Sequence, residues 1–432
     1  MTAPAPVTLV RAIGRWSLTA SIVNGVVGSG IFGLPAAVAA KVGAASPLAV
    51  LAAGAGIFVI VLAFAEVASR FEEGGGPYLF VREAFGAGAG FTVGWLHVWT
   101  RILSGAAVLN VLVAYLAKVV PVVGSGAGRA VTLVVAMTLV TALNVAGVRQ
   151  AAWAVNAFTV AKLLPLALLI ALGLPRLSEA TLASQAVAAP QWTEAILLLV
   201  FAYGGFESGI LAAGETKDPR GDTAFALIAG MATVTLTYCL VQLVVVGVLP
   251  NAAGDTAPVA SAIRVLLGDA GAIVGSIAVV LSVYGWLTGF ALVTPRLVHA
   301  MAERRELPAV LARIHPRFRT PDAAIVADGA LALAVGLAGD FTTVATIAAI
   351  TRLGIYGLTC ASLVALRRRG DAPPAGFTLP VGTPIALAGV AFSAWLLATR
   401  DFGQAWLLAA LVAGGWALRA LVRRGAGPTT TP

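Results

Sequence analysis

Apolar runs recur along this chain, each long enough to make a helix and each separated from the next by a short polar connection. A helix needs roughly 20 apolar residues to cross the hydrocarbon layer of a bilayer. Breaker residues divide the runs into spans at 16–40, 46–70, 89–118, 128–147, 151–173, 192–214, 223–249, 268–300, 322–339, 341–366, 382–399 and 402–422. The pattern predicts an all-α integral membrane protein of about 12 transmembrane helices. The longest polar stretches, near 70–88, 303–320 and 367–380, are too short for a soluble domain, so residues 1–432 read as one membrane domain.

Composition agrees with the pattern. Of the 432 residues 59% are hydrophobic and 11% charged, whereas a soluble domain devotes about a quarter of its residues to charge. The net charge of +9 would suit nucleic acid, but the basic residues form no stripe interleaved with aromatics, so no nucleic-acid partner is expected. They sit in loops. With the N-terminus taken as cytoplasmic, nineteen Lys and Arg fall inside and six outside. The inner set runs from Arg11 and Arg15 through the 303–320 loop to Arg424. This asymmetry predicts cytoplasmic termini and an even number of spans, in what reads as a bacterial inner membrane. Arg11 and Arg15 precede an apolar run with no small-residue cleavage site, so that run is the first span rather than a signal peptide. Cys239 and Cys360 lie in separate apolar spans and predict neither a disulfide nor a zinc site. The three histidines are scattered, and no nucleophile, base and orienting group stand together, so neither a metal, a cofactor nor an enzyme is expected.

Two spans carry too much glycine for continuous helix. The first reads SIVNGVVGSGIFGLPAAVA, with its break predicted at Gly28-Ser29-Gly30; the sixth reads LLLVFAYGGFESGILAAGE and should unwind at Gly204-Gly205. Backbone groups freed at such breaks must line a cavity or be buried in protein. Breaks five spans apart predict an inverted repeat of five plus five helices, repeat one at about 16–173 and repeat two at about 192–366, with the substrate between the broken pair. The half-helix after Gly30 would turn its amides toward an anion. Carbonyls near Val26 and from Phe201 to Tyr203 would receive an ammonium, and the pair together suits an amino acid. The competing reading is that the glycines serve close helix packing.

Ionisable residues inside the spans each cost at least ~2.5 kcal/mol unless paired or hydrated. Glu66, Arg101, Lys162, Glu207 and Arg352 all appear within apolar spans. Glu66 is near a helix end and reads as structural or functional alike. Lys162 lies about eleven residues, or roughly 16 Å, from either end of its span, too deep to snorkel. A lysine so placed can exchange its proton during a working cycle; the alternative is a permanently paired structural lysine. Arg101 and Arg352 find no partner from sequence alone.

GSGIFGLP at 28–35, the 65–99 stretch with its GGPY, AFG and GW, AYGGFES at 202–208, and TPRLVHAMAERRELPAVLARIHPRFRTP at 294–321 together resemble the amino acid/polyamine/organocation permeases over nearly the whole chain. The resemblance implies a LeuT-like five-plus-five fold with two added C-terminal helices at about 382–422, and transport of amino acids or amines by alternating access. It places the substrate carboxylate on the amides of Gly28, Ser29 and Gly30, its amino group on the Val26 carbonyl, and Phe201 as an aromatic cap. Phe290 matches a helix 8 position lining the pocket, and Lys162 matches a lysine occupying a sodium site in sodium-independent members. Gly105 stands where some cation exchangers have a polar residue, which argues against a dibasic substrate, and Glu303-Arg304-Arg305-Glu306 replaces a commoner Arg-Asp-Gly run.

The reading is a secondary amino acid transporter, proton-coupled or exchanging, favouring uncharged side chains. Binding falls to Val26, Gly28, Ser29, Gly30, Phe201, Tyr203, Gly205 and Phe290, and proton coupling to Lys162 and Glu207. Its partners are a small-molecule amino acid and the lipid bilayer, with any second copy or accessory subunit left open. The rivals are a polyamine carrier, for which Glu207 is the only acid beside the site, and a nutrient sensor of the same fold, which no appended signalling domain favours.

Overall fold

The computed structural model describes residues 14–71, 75–147, 152–185, 187–211, 216, 218–400 and 402–425. At 152–161, 208, 211, 219–220, 288–292, 402, 404–405 and 425 it describes the backbone alone. The predicted inner charges Arg11, Arg149 and Lys217 lie outside the described residues.

The described chain is helical. The first predicted span is two helices, α1 (Arg15–Val26) and α2 (Ser29–Val42), followed by α3 (Ser46–Ala68), α4 (Gly76–Phe85), α5 (Ala87–Ala117), α6 (Gly126–Val145) and α7 (Ala152–Gly173). After the short α8 (Glu179–Ser184), the sixth predicted span is again two helices, α9 (Trp192–Ala202) and α10 (Glu207–Leu211). Then come α11 (Pro219–Val248), α12 (Pro258–Glu303), α13 (Asp322–Ala338), α14 (Phe341–Arg368), α15 (Gly382–Ala398) and α16 (Phe402–Gly425). Among the described residues seven apolar stretches are long enough to cross a membrane, and α9 and α15 are shorter apolar helices.

Local chemistry sets the ends. Asp218 and Asp340 accept from the amides of Gly221 and Thr343, capping α11 and α14, which satisfies donors that have no partner within a helix. Pro35 inside α2 disturbs its carbonyl ladder. The carbonyls there are taken by side chains: the Tyr115 hydroxyl donates to Phe32 at 2.8 Å and the Gln242 amide to Pro35 at 3.0 Å. The eighth predicted span begins earlier than 268: α12 runs from Pro258 and bends at Gly268, whose φ of 74° and ψ of −171° are open to glycine and not to a side-chain-bearing residue. The stretch near 70–88, expected as a loop, contains α4, which hydrophobic periodicity hid because it is only ten residues long.

Glu66 proves structural. It is fully buried, and Arg367 grips it with two hydrogen bonds of 2.6 and 2.7 Å while Arg70 and the Leu379 amide add bonds of 3.3 and 2.9 Å. A forked guanidinium–carboxylate contact of this kind ties α3 to the end of α14 and to the segment before α15. Glu306 is similarly held by Arg419 at 3.4 Å and the Tyr78 hydroxyl at 3.4 Å, joining α4, the segment after α12 and α16. One buried core draws on helices from α1 to α15.

Candidate functional site

The first helix breaks at Val27-Gly28, one residue earlier than expected, and resumes at Ser29. Gly28 has φ −130° and ψ −148°, so α2 presents its first-turn amides, beginning at Ser29, toward the break. On the other side, α1 ends at Val26. The Tyr238 hydroxyl lies 2.9 Å from the Val26 carbonyl and 3.2 Å from that of Ala202, bridging the ends of α1 and α9. It has one proton to give and each carbonyl has two lone pairs, so Val26 keeps acceptor capacity. Lys162 reaches from α7 to the same helix end: its ammonium donates to the Asn24 carbonyl at 2.7 Å and the Asn24 side-chain oxygen at 2.8 Å. A cation at the carbonyl end of α1 complements its dipole.

The second break spans Tyr203 to Phe206 and is organised by charge. The Gly205 amide donates to Glu207 at 2.7 Å, and the Tyr356 hydroxyl donates to the other Glu207 oxygen, also at 2.7 Å. Arg352 lies 3.6 Å from Glu207 and donates to the Phe201 carbonyl at 3.0 Å. Its guanidinium covers Gly204, where any Cβ would overlap it. Gly205 has φ +122°, and a Cβ there would strike the Gly25 carbonyl of the opposite break, so only glycine serves. The Tyr203 hydroxyl points away from the break, to the Val50 carbonyl at 2.9 Å.

Between the breaks lies a cavity of about 20 Å³, space for about one water. Val26, Gly28, Ser29, Gly30, Phe201 and Gly205 line it, as sequence expects; Tyr203 does not. Arg101, Ser104, Trp286 and Arg352 also line it. The Phe290 side chain lies outside the described residues; Trp286, one helical turn earlier on α12, stands 3.4 Å from where a Gly28 Cβ would be. Periodicity could have found it, since residues four apart share a helix face. Gly30 answers the packing question differently from Gly28: its Cβ would come within 2.6 Å of the Ala202 backbone, so Gly30 serves the contact of α2 with α9.

Phe201 meets Phe341 edge to face, with ring centroids 6.1 Å apart. Beyond that pair opens a vestibule of about 780 Å³. Phe341 and Gly33 line it together with Asn110, Arg129, Asp255 and Asp340. The aromatic pair therefore stands between the vestibule and the small cavity. One acid was missed by the sequence reading: Asp328 of α13 is 3% exposed and neither of its carboxylate oxygens has a hydrogen-bond partner among the described residues. A scan for charges within the ninth span would have found it.

Residues 13–416 match the family described as amino acid permease. The chain is similar to the serine/threonine exchanger SteT of Bacillus subtilis (strain 168), with 27% identity over 401 residues that cover 90% of this chain and 91% of that protein. A methylthioribose transporter of the same organism is 25% identical over 425 residues, covering 93% and 90% of the two chains. Its putative arginine/ornithine antiporter is 27% identical over 341 residues, covering 70% and 72%. A match that starts before α1 and ends within α16, over a bundle whose two broken helices meet, identifies the chain as a member of the amino acid permease family, within the amino acid/polyamine/organocation superfamily, and as a multi-pass membrane transporter rather than an enzyme.

Proposed function

We propose that this protein carries amino acids across a bacterial inner membrane by alternating access, through a 12-span bundle with both termini in the cytoplasm. The observation that carries the reading is the facing pair of breaks, which together offer the first-turn amides of α2 and the end carbonyls of α1 and α9. Amides at a helix N-terminus suit a carboxylate, and the remaining lone pairs of the Val26 and Phe201 carbonyls suit an ammonium. The carboxylate rests on the amides of Gly28, Ser29 and Gly30, and Phe201 with Phe341 roofs the site.

Matched packing supports two inverted five-helix repeats: α1 packs on α11 as α9 packs on α3, and α5 packs on α14 as α12 packs on α7. A polyamine would need acids in the cavity, whereas both oxygens of Glu207 are already bonded to the protein. Glu207 accordingly holds the second break together, and proton coupling falls to Lys162. Protonated, Lys162 braces the end of α1; deprotonated, it releases α1 to move. The names of the relatives, which include an exchanger and an antiporter, favour a second mode in which one amino acid is swapped for another.

Uptake of labelled amino acids into proteoliposomes tests both modes. An acidic exterior should drive uptake without sodium, and Lys162→Ala should lower that pH-driven uptake at least about tenfold. Sodium dependence, or full pH-driven uptake in Lys162→Ala, would make the lysine structural only. Acceleration by internal amino acid with no response to pH would establish exchange.

A further inference from the structure

Among the described residues Lys162 makes its hydrogen bonds to a single residue. Its ammonium donates to the Asn24 carbonyl at 2.7 Å and to the Asn24 side-chain oxygen at 2.8 Å. The carbonyl belongs to the last turn of α1, where backbone acceptors have no partner within the helix, and it can only accept. The side-chain amide differs in kind, because one planar group carries both an oxygen that accepts and a nitrogen that donates. An ammonium has three donors and no lone pair, whereas the amine left when a proton departs to water has a lone pair that accepts. Turning the Asn24 amide over exchanges its oxygen for its nitrogen, so one side chain can serve either state of the lysine.

The surroundings of α7 offer no substitute among the described side chains. It packs on α11, on α12 and on the turn at 174–176. On α11, Asp222 is held by Arg15 of α1, the Tyr238 hydroxyl lies against the Val26 and Ala202 carbonyls, and Cys239 lies 3.9 Å from the Pro47 carbonyl. On α12, Arg264 pairs with Asp269 and His299 with Glu303, and Tyr284 and Arg296 lie between those pairs in sequence. Arg176 of the turn donates to the Leu266 carbonyl. None of these groups acts on the Lys162 ammonium. The lysine is 3% exposed, so water does not replace a lost partner.

Resting on the proton-coupling reading of Lys162 above, we infer that Asn24 is the positioning residue through which α1 follows the lysine's proton: its side-chain oxygen accepts from the ammonium, and its amide turns over to donate to the amine. The buried lysine keeps a partner in both states, which avoids stranding a polar group away from water. Bonds between neutral groups are roughly half as strong as those of an ammonium. The grip on α1, two residues before its end, therefore loosens without breaking when the proton leaves.

The test is initial uptake of labelled amino acids by the purified full chain in proteoliposomes, measured against external pH at a fixed inward proton gradient. Asn24→Asp supplies an acceptor of the same shape with no N–H to give. It holds the ammonium, and the midpoint at which uptake falls with rising pH should move up by at least about one pH unit. Asn24→Leu has similar size and neither donor nor acceptor, so its midpoint should move down by at least about one pH unit. A residue that only packs changes the amount of uptake and leaves the midpoint in place. A midpoint that stays, or moves the other way, in either variant overturns the role of Asn24. Uptake that ignores pH in the wild type, or full pH-driven uptake in Lys162→Ala, overturns the coupling role of the lysine itself, so the two failures are distinguishable. If Asn24→Leu does not fold, the midpoint of Asn24→Asp decides alone.

Discussion

The two helix breaks face each other but are built on opposite principles. At Val27-Gly28 no side chain of the break itself is charged; its supports, Lys162 and Tyr238, come from α7 and α11 and hold the end of α1. At Tyr203–Phe206 the break is fixed by its own acid, by Arg352 and Tyr356 of α14, and by a glycine pressed on the facing backbone. The second break is thus a buried ion-pair knot, and the first a hinge braced from outside. Under the alternating access proposed above, one side must stay in shape while the other moves, and the proposal assigns the moving side to α1 and α2.

The comparison breaks most severely at Gly205. Alanine there must adopt a φ of +122° and overlap the Gly25 carbonyl, so Gly205→Ala should abolish the folded protein, read as loss of the monodisperse peak in detergent. Arg352→Leu comes next. It leaves Glu207 buried without its cation, and removing one partner of a buried pair costs about 3–5 kcal/mol; thermal denaturation should show a large fall, and Glu207→Gln, which leaves Arg352 buried without its anion, should fall comparably. The smallest effects belong to the first break. Gly28→Ala brings a methyl only to contact distance, 3.4 Å from Trp286, so the protein should fold with a nearly unchanged Tm while substrate affinity falls about tenfold. Gly30→Ala, pressed on the Ala202 backbone at 2.6 Å, should cost about 1–3 kcal/mol of stability. Equal Tm losses for Gly28→Ala and Gly205→Ala would erase the distinction between hinge and knot.

The apolar pattern by itself determined which segments become helices and where two of them break, because both follow from local composition. Runs of apolar residues end where polar residues and prolines begin, and glycine at 28, 204 and 205 marks backbone that must leave the helix. Lys162 was legible for the same reason, since a charge inside an apolar span announces itself whatever surrounds it. The short α4 was not, because ten residues beside a glycine-rich loop carry too little periodicity.

Only the tertiary structure decided what each intramembrane charge meets. Glu207 and Arg352 are 145 positions apart in sequence, and nothing local to either says that they share a break with Tyr356 and the Phe201 carbonyl. The same holds for Gly28 and Gly30: alike in sequence, one faces an indole and the other a backbone. Local sequence fixes where the chain bends because backbone conformation is a local property. Charge pairing and close packing are properties of distant segments brought together, so they exist only once the bundle has formed.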